Sequence, residues 1–409
     1  MKHNSKLKII NDPIYGFITI PGPLIHNLIE HPYFQRLRRI SQMGMSYLVY
    51  PGAHHTRFHH ALGAMFLMQK AIQTLKRKGI DISEEETEAL CIAILLHDIG
   101  HGPFSHAMEH SIVEGISHEQ LSMAFMEELN KEFSGQLSMA ISIFRNEYPR
   151  KFFHQLISSQ LDMDRLDYLR RDSFYTGVAE GNISSERIIA MMNVLDGNLV
   201  IEEKGIYSIE KFIIARRLMY WAVYLHKTGI VAEQLLVRLL TRARELSQNG
   251  MALQSSAALK YFLNRTASEK NSANEILEMF SKLDDYDIVS AMKSWLDSED
   301  FVLRNISKML LNRKLLKIKL RNKPFPPQKV ETKLQKLQQK HGVSEYEASY
   351  FVFTGEISNQ AYSMEKNTID LITKSGKVVD VAKASDQLNL EALSKKVIKH
   401  YLCYPKSKY

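Results

Sequence analysis

Residues 95–106, with the sequence LLHDIGHGPFSH, constrain this chain more than any other segment. An apolar run over residues 89–96 ends abruptly at His97 and Asp98, and two more histidines follow. Adjacent histidine and aspartate side chains offer one nitrogen and one oxygen ligand, which suits a divalent metal such as Zn, Mn, Fe or Mg. Burying a carboxylate at the end of an apolar helix is costly unless a cation neutralises it. The sequence therefore predicts a metal site at this helix end.

The charge of the chain is unevenly distributed. Residues 301–409 include 21 Lys and Arg against 9 Asp and Glu, whereas the whole chain of 409 residues has a net charge of only +8. This basic segment predicts either a solvated surface or contact with an anionic partner, such as a nucleotide, a nucleic acid or an acidic subunit face.

Composition argues against membrane and disulfide-rich classes. The sequence has no run of 18 apolar residues, and its first residues lack the apolar core of a signal peptide. Two cysteines, Cys91 and Cys403, do not make a disulfide framework. We therefore expect a cytoplasmic protein without a membrane partner.

Helical patterning dominates the chain to about residue 311. Ser83 and Glu86 have the spacing of a capping box, which predicts the start of the buried helix that ends at His97. A β-hairpin is expected within residues 196–207, with its turn at Lys204 and Gly205.

Prolines at positions 324, 326 and 327 interrupt the chain after this helical part. Beyond them the patterning predicts helices and short strands, with a last helix at about residues 390–400. The predicted fold is therefore mainly α. It has a helical core with a short β-hairpin over residues 1–311, followed by a small basic α+β module over residues 312–409.

Two further segments offer metal ligands. Residues 54–60, HHTRFHH, hold four histidines, and residues 156–175 predict a half-apolar helix with several aspartates. Some of these aspartates must point inward, where they need metals or arginines as partners. One histidine from 54–60, one carboxylate from 162–172, His97 and Asp98 would supply two nitrogens and two oxygens. Such a set is typical of a catalytic metal site that keeps a position for water.

The neighbouring residue types indicate phosphate chemistry. A catalytic metal can lower the pKa of its bound water to about 7. The candidates for protonating a leaving oxygen are His101, His106 and His118. The candidate cations for phosphate are Arg57, Arg216 and Lys227. Together these residues favour hydrolysis of a phosphate ester or anhydride.

Six motifs between about residues 8 and 244 resemble the HD-domain phosphohydrolases, and within them the deoxynucleoside triphosphate triphosphohydrolases. The motifs are NDPIYG (11–16), FQRLRRISQMG (34–44), HTRFHHALG (55–63), HDIGHGPFSH (97–106), HEQ (118–120) and DMDRLDYLRRDS (162–173). The resemblance implies cleavage of a dNTP to a deoxynucleoside and triphosphate. It also implies a divalent metal, of which Mg, Mn, Fe, Zn and Ni stay open, and a homo-oligomer, either a dimer or a tetramer.

The resemblance implies a role for individual residues, motif by motif. The metal ligands are His60, His97, Asp98 and Asp164. The catalytic positions are His106 and His118 for proton transfer, Glu109 beside His106, and His101 for phosphate contact. The substrate-binding positions are Gln42, Arg57, Arg165, Tyr168, Asp172, Arg216 and Tyr224. An activating nucleotide, GTP or dGTP, is a hypothesis at positions Lys8, Asn11, Gln35 and Arg38.

The sequence departs from the family at two of the positions near this site. Glu109 stands where the family has aspartate, and Leu225 stands where it has glutamine. Two other functions stay open. One is an HD phosphohydrolase acting on a nucleoside monophosphate or a signalling nucleotide, although Gln42 and the DRLDY motif favour dNTPs. The other is a nucleotide- or nucleic-acid-binding protein using the basic C-terminal module, against which the complete ligand set argues.

Overall fold

A computed structural model describes residues 8–104, 117–265, 273–365, 367–385 and 394–406. The prediction of a mainly α fold is confirmed. The helices, in chain order, are α1 (Pro23–Glu30), α2 (Pro32–Gln35), α3 (Arg57–Arg77), α4 (Glu84–Leu96), α5 (His118–Glu132), α6 (Ser138–Phe144), α7 (Lys151–Ile157), α8 (Met163–Thr176), α9 (Ser185–Met191), α10 (Ile206–Met219), α11 (Lys227–Gln248), α12 (Ala257–Asn264), α13 (Ala273–Ser281), α14 (Asp285–Ser294), α15 (Phe301–Leu311), α16 (Pro327–His341), α17 (Glu345–Ser349) and α18 (Val381–Ala384).

The strands form three small sheets. They are β1 (Ile9–Asp12), β2 (Gly16–Thr19), β3 (Met192–Leu195), β4 (Asn198–Glu202), β5 (Lys317–Arg321), β6 (Phe353–Asn359), β7 (Asp370–Ile372), β8 (Val378–Asp380) and β9 (Val397–Tyr404). Strands β1 and β2 form an N-terminal hairpin, the second sheet has the order β3-β4-β7-β8, and the third has the order β5-β9-β6.

Helices α3, α4 and α8 form the part of the core that matters for the site. The Ser83 side chain accepts a hydrogen bond from the Glu86 amide, and the Glu86 carboxylate accepts one from the Ser83 amide, so the predicted capping box is present. All residues of α4 from Ala89 to Leu96 are buried. Helix α3 packs against both α4 and α8. Each of these helices carries a predicted metal ligand at one of its ends.

A β-hairpin is present, but it spans residues 192–202 and not 196–207. Of the two predicted strands only the first is confirmed, because Ile206 and Tyr207 begin α10. Strands β3 and β4 are joined at Asp196 and Gly197, which both have a positive φ. An Asp-Gly pair suits such a two-residue turn, because both central positions need this backbone region. Lys204 and Gly205 instead belong to a short 3-10 turn that leads into α10.

The predicted last helix is wrong over its final residues, because Val397–Tyr404 is the central strand of a three-stranded sheet. Its backbone pairs with β5 on one side and β6 on the other. Residues 386–393 lie outside the described part of the chain. Strand β7 pairs in parallel with β4 of the core hairpin, so the C-terminal segment shares one sheet with the helical core. The domain boundary at residue 311 stays a prediction.

Among the described residues, no helix is both long enough and apolar enough to cross a membrane.

Candidate metal centre and active site

The histidines of residues 54–60 have different structural roles. Thr56 caps the start of α3, and His59 completes this cap, since its Nδ1 lies 3.2 Å from the Thr56 amide and 2.9 Å from the Thr56 hydroxyl. His60, one residue further, points inward and is completely buried. Consecutive side chains on a helix point in different directions, so His59 caps the helix whereas His60 is a candidate metal ligand.

The ligand atoms predicted from distant parts of the sequence lie close together. The ligand atoms of His60, His97 and Asp164 all lie within 4.8 Å of one another. Asp164 Oδ1 is 3.1 Å from His60 Nε2 and 3.6 Å from His97 Nε2. Asp98 Oδ2 lies 3.7 Å from His60 Nε2, and Asp98 Oδ1 lies 3.4 Å from His97 Nε2.

In His60 and His97, hydrogen bonds at Nδ1 favour metal binding at Nε2. His60 Nδ1 lies 2.8 Å from Asp167 Oδ2, and His97 Nδ1 lies 2.6 Å from the Ile94 carbonyl. When Nδ1 donates in this way, Nε2 keeps its lone pair for a metal. Neither Nε2 makes a hydrogen bond of acceptable geometry with any residue that the structure describes. Buried polar atoms without such a partner are unusual, and the donor set fits a divalent cation.

The charges around the centre also favour a cation. Burial alone would lower the pKa of His60, but the carboxylates of Asp164 and Asp167 outweigh it and raise that pKa to about 10. Burial alone would raise the pKa of Asp98, but His101, His97 and Arg57 hold it well below its usual range. The pKa of Asp164 is lowered in the same way, against burial, by His60 and His97. The carboxylates therefore stay ionised and hold a positive charge at this point, which is either the extra proton of His60 or a metal that displaces this proton from Nε2.

The loop after α4 is held by a residue that sequence reasoning missed. Arg36 is completely buried, and its Nη2 donates to the carbonyl oxygens of Ile99 at 2.8 Å and His101 at 3.0 Å. Its guanidinium packs against the rings of Phe125 and Phe280, at 5.5 and 5.0 Å from the ring centres. Arg36 thus anchors the backbone from which His97, Asp98 and His101 project. Arg36 belongs to the motif FQRLRR, but the sequence does not show in which direction its side chain points.

A cavity of about 630 Å³ opens beside the metal centre. This volume is in the range of small-molecule sites in proteins. The predicted site residues that line it are Gln42, Arg57, Asp98, His101, His118, Asp164, Arg165, Tyr168, Asp172 and Tyr224. The rings of His101 and His118 lie 4.2 Å apart, centre to centre. The structure therefore brings most of the predicted metal, catalytic and substrate positions to one space.

Two of the predicted phosphate contacts, Arg216 and Lys227, do not line the described cavity, and two predicted catalytic residues lie outside the described part of the chain. Arg216 Nη1 donates to the Ala361 carbonyl at 3.2 Å, and its guanidinium lies 5.9 Å from the ring of Tyr220, which does line the cavity. His106 and Glu109 lie outside the described residues, so their proposed catalytic roles stay predictions.

One wall of the cavity is a hydrogen-bonded chain through Asp172. Its Oδ1 lies 2.7 Å from His55 Nε2, and its Oδ2 accepts from the Tyr224 hydroxyl at 2.7 Å. His55 is buried and stacks on Tyr175 at 4.4 Å. Tyr224 belongs to a π-helical segment, Tyr220–Tyr224, which directs both of its end tyrosines to the cavity. His55 was noted only as one member of the histidine cluster, and Tyr220 was missed.

The positions predicted for an activating nucleotide lie at the surface in two groups. Lys8 and Asn11 are exposed, beside and within β1. Arg38 donates to the Gln35 side chain at 2.8 Å, and its guanidinium lies 3.6 Å from the centre of the Phe58 ring. Their role in nucleotide binding stays a prediction.

The two neighbouring histidines of α3 should respond differently to alanine substitution. His60→Ala removes a buried candidate ligand and should strip the protein of metal. His59→Ala removes only a helix cap, which costs about 1 kcal/mol of stability, and should keep the metal. Elemental analysis after dialysis, with thermal unfolding of both variants, measures the two effects. Equal metal content in the two variants would contradict the assignment of His60.

Two family models match the chain. The HD domain model matches residues 57–172, and a model described as an HD associated region matches residues 183–261. The first range contains every predicted metal ligand, and the second contains the π-helical segment.

Similar proteins are found over the whole chain. The uncharacterized protein YwfO of Bacillus subtilis is 31% identical over 98% of this chain and 93% of its own length. The crystal structure of a phosphohydrolase from Bacteroides thetaiotaomicron is 52% identical, covers 98% of this chain and 100% of that one, and has a TM-score of 0.95. A deoxynucleoside triphosphate triphosphohydrolase SAMHD1 homolog of Dictyostelium discoideum is 30% identical over 64% of this chain. That match spans about half of the Dictyostelium protein, 54% of its length.

Proposed function

Because this chain belongs to the HD-domain family of phosphohydrolases, we propose that it hydrolyses dNTPs to a deoxynucleoside and triphosphate, with a divalent metal as cofactor. One observation carries the proposal. A single cavity is lined by Asp164 of the candidate metal centre, by the two histidines His101 and His118, and by the hydrogen-bonded pair Asp172 and Tyr224. The similarity to SAMHD1 proteins supports the same substrate class.

The cations of the cavity suit a triphosphate. When bound, a divalent metal would neutralise phosphate charge and polarise a phosphoryl oxygen. Arg57 forms an ion pair with Asp98 and lines the cavity. Arg165 pairs with Asp162, the N-cap residue of α8, and also lines it. These guanidinium groups can donate to phosphate oxygens in the planar geometry that arginine favours.

The histidines of the cavity suit proton transfer to a leaving oxygen. His101 Nδ1 lies 3.4 Å from Asp98 Oδ1, which orients its ring. His118 lies against that ring, and its Nε2 is 3.2 Å from Glu119 Oε1. In this proposal water attacks the α-phosphorus, and the bond from this phosphorus to the 5′-oxygen of the sugar breaks. His101 contacts phosphate, and His118, with His106, supplies the proton that the leaving 5′-oxygen needs.

The opposite wall suits the sugar. The oxygens of Asp172 accept hydrogen bonds, so their remaining lone pairs favour hydroxyl groups of a ligand. Tyr168, Tyr224 and Gln42 add aromatic and amide surface to the same cavity. A deoxyribose between these groups would present its 3′-hydroxyl as the donor.

A nucleotide panel tests the proposed reaction. Purified protein supplied with Mg²⁺ or Mn²⁺ should convert dNTPs to deoxynucleosides and triphosphate, and should convert NTPs more slowly. Anion-exchange chromatography separates triphosphate, pyrophosphate and phosphate. Release of phosphate from a nucleoside monophosphate, with no triphosphate from any dNTP, would instead support the alternative substrate. A chelator should remove the activity, and added metal should restore it.

Activation and assembly belong to the same proposal. We expect a homo-dimer or tetramer, with GTP or dGTP bound at Lys8, Asn11, Gln35 and Arg38. Turnover of a low concentration of another dNTP should then rise when GTP is added. Equal rates with and without GTP would remove the activation hypothesis and leave the hydrolysis itself intact. Contact of the basic residues 301–409 with nucleic acid stays a prediction.

A further inference from the structure

A chain of buried charged groups connects the N-terminal hairpin to the metal centre. It begins at Asp12, the last residue of β1, whose side chain is 4% exposed. Asp12 Oδ1 accepts hydrogen bonds from the amides of Ile14 and Tyr15, at 2.9 and 3.0 Å. These bonds shape the turn of the hairpin and direct Oδ2 into the protein, where it accepts from Arg171 Nη1 at 2.8 Å.

Arg171 passes this contact on to Asp167. The guanidinium is completely buried, and it donates from Nε and Nη2 to the two oxygens of Asp167, at 2.8 and 3.0 Å. Such a two-point contact fixes the plane of the carboxylate as well as its position. Asp167 Oδ2 in turn lies 2.8 Å from His60 Nδ1. Every link from the hairpin to the candidate ligand is therefore at hydrogen-bond distance.

The charges of this chain matter as much as its geometry. Arg171 neutralises the charge of one of its two carboxylate partners, Asp12 and Asp167. The second carboxylate leaves this buried group of three side chains with a net negative charge. That charge favours a positive centre at His60. Without the Asp12 carboxylate, Arg171 would lose the partner that sets its orientation, and its positive charge would act on Asp167 alone.

We propose that Asp12 is a positioning residue for the metal centre, acting through Arg171 and Asp167 on the orientation of His60. The N-terminal hairpin is then a working part of the metal site, although it lies outside the residues that match the HD domain model. This inference rests on the metal site and is independent of the nucleotide that the enzyme cleaves.

The variant Asp12→Asn isolates this contact. Asparagine keeps one oxygen for the amides of Ile14 and Tyr15, but it places an amide nitrogen where Arg171 needs an acceptor. Replacing an outer partner of a metal ligand typically lowers metal affinity 10- to 100-fold. We expect a loss of roughly tenfold for this more distant residue. The affinity of the full-length protein for Mn²⁺ is measured by competition with a metal indicator dye.

Ile18→Val is the matched control. Ile18 is a fully buried residue of β2 in the same hairpin, and its truncation weakens packing without changing any of the charged groups from Asp12 to His60. This variant should lower the melting temperature and keep the wild-type Mn²⁺ affinity. An unchanged affinity in Asp12→Asn, or an equal loss in Ile18→Val, would overturn the proposal. If the wild-type chain bound no Mn²⁺, the metal centre would be wrong and the proposal with it.

A second variant covers the case that Asp12→Asn does not fold. Asp12→Glu keeps the charge, but it moves the carboxylate by one methylene, so it cannot keep the contacts to the turn and to Arg171 together. We expect a smaller loss of Mn²⁺ affinity in this variant. Wild-type affinity would again overturn the proposal.

Discussion

Replacing His97 and Asp98 together with alanine should abolish both the metal content and the hydrolytic activity of the protein. The double variant removes one nitrogen and one carboxylate from a centre whose ligand atoms lie within a few ångströms of each other. It also removes the Asp98 carboxylate that pairs with Arg57. The loss of metal affinity should exceed by far the 10- to 100-fold that an outer partner contributes. Elemental analysis and release of triphosphate measure the two effects.

The control for this experiment is another double substitution far from the site. Glu128 and Lys131 form an exposed ion pair on α5, at 3.0 Å. Exposed pairs of this kind contribute at most about 1 kcal/mol. Glu128→Ala/Lys131→Ala should therefore keep the metal, the activity and nearly all of the stability. Full activity in the His97→Ala/Asp98→Ala protein would refute the assignment of the centre.

Gly63→Ala should be among the most damaging single substitutions in the protein, although it adds only one methyl group. A Cβ at this position of α3 would lie 2.1 Å from Asp167 Oδ1 and 2.2 Å from Arg171 Nη2. Neither side chain can move away cheaply, because both are completely buried and bonded to each other. Breaking a buried ion pair typically costs about 3–5 kcal/mol. We expect a loss of about that size in the free energy of unfolding, together with weaker metal binding.

Gly229→Ala provides the comparison. Gly229 lies in α11, and a Cβ there would meet nothing within 4 Å. Alanine favours a helix over glycine by up to about 1 kcal/mol, so this variant should be slightly more stable than the wild type. Urea unfolding of the Gly63→Ala and Gly229→Ala proteins, with and without metal, measures the change in the free energy of unfolding for each variant. A Gly63→Ala protein as stable as the wild type would contradict the tight contact between α3 and α8.

Local sequence patterns predicted the parts of the fold that depend on neighbouring residues. The capping box at Ser83 and the apolar run behind it located α4, because these interactions lie within one helix. Asp164, Tyr168 and Asp172 follow one another at intervals of four residues, so they share one face of α8, and all three line the cavity. The half-apolar character of that helix also implied inward charges, and Asp167 and Arg171 are such charges.

The sequence did not predict elements whose structure depends on pairing with distant strands. Residues at the chain end suit either a helix or a strand locally, and pairing with β5 and β6 makes β9 a strand. The hairpin turn was misplaced because Asp196-Gly197 and Lys204-Gly205 both offer a glycine. Gly205 instead packs its backbone closely against Met191 and Ile201, which leaves no room for a Cβ.

The sequence by itself indicated the family, the ligands of a candidate metal centre and half of the described residues that line the cavity, because its motifs combine particular residue types at short, fixed spacings. The tertiary structure alone decided what each charged residue contacts. In the structure Arg36 donates to the loop that carries His97 and Asp98. Asp12 is linked to His60 through Arg171 and Asp167. His55 lies at hydrogen-bond distance from Asp172. A buried charge is stable only with a partner. Apart from Asp167 and Arg171, which are four residues apart on α8, each of these partners comes from a distant part of the chain, where no local pattern records it.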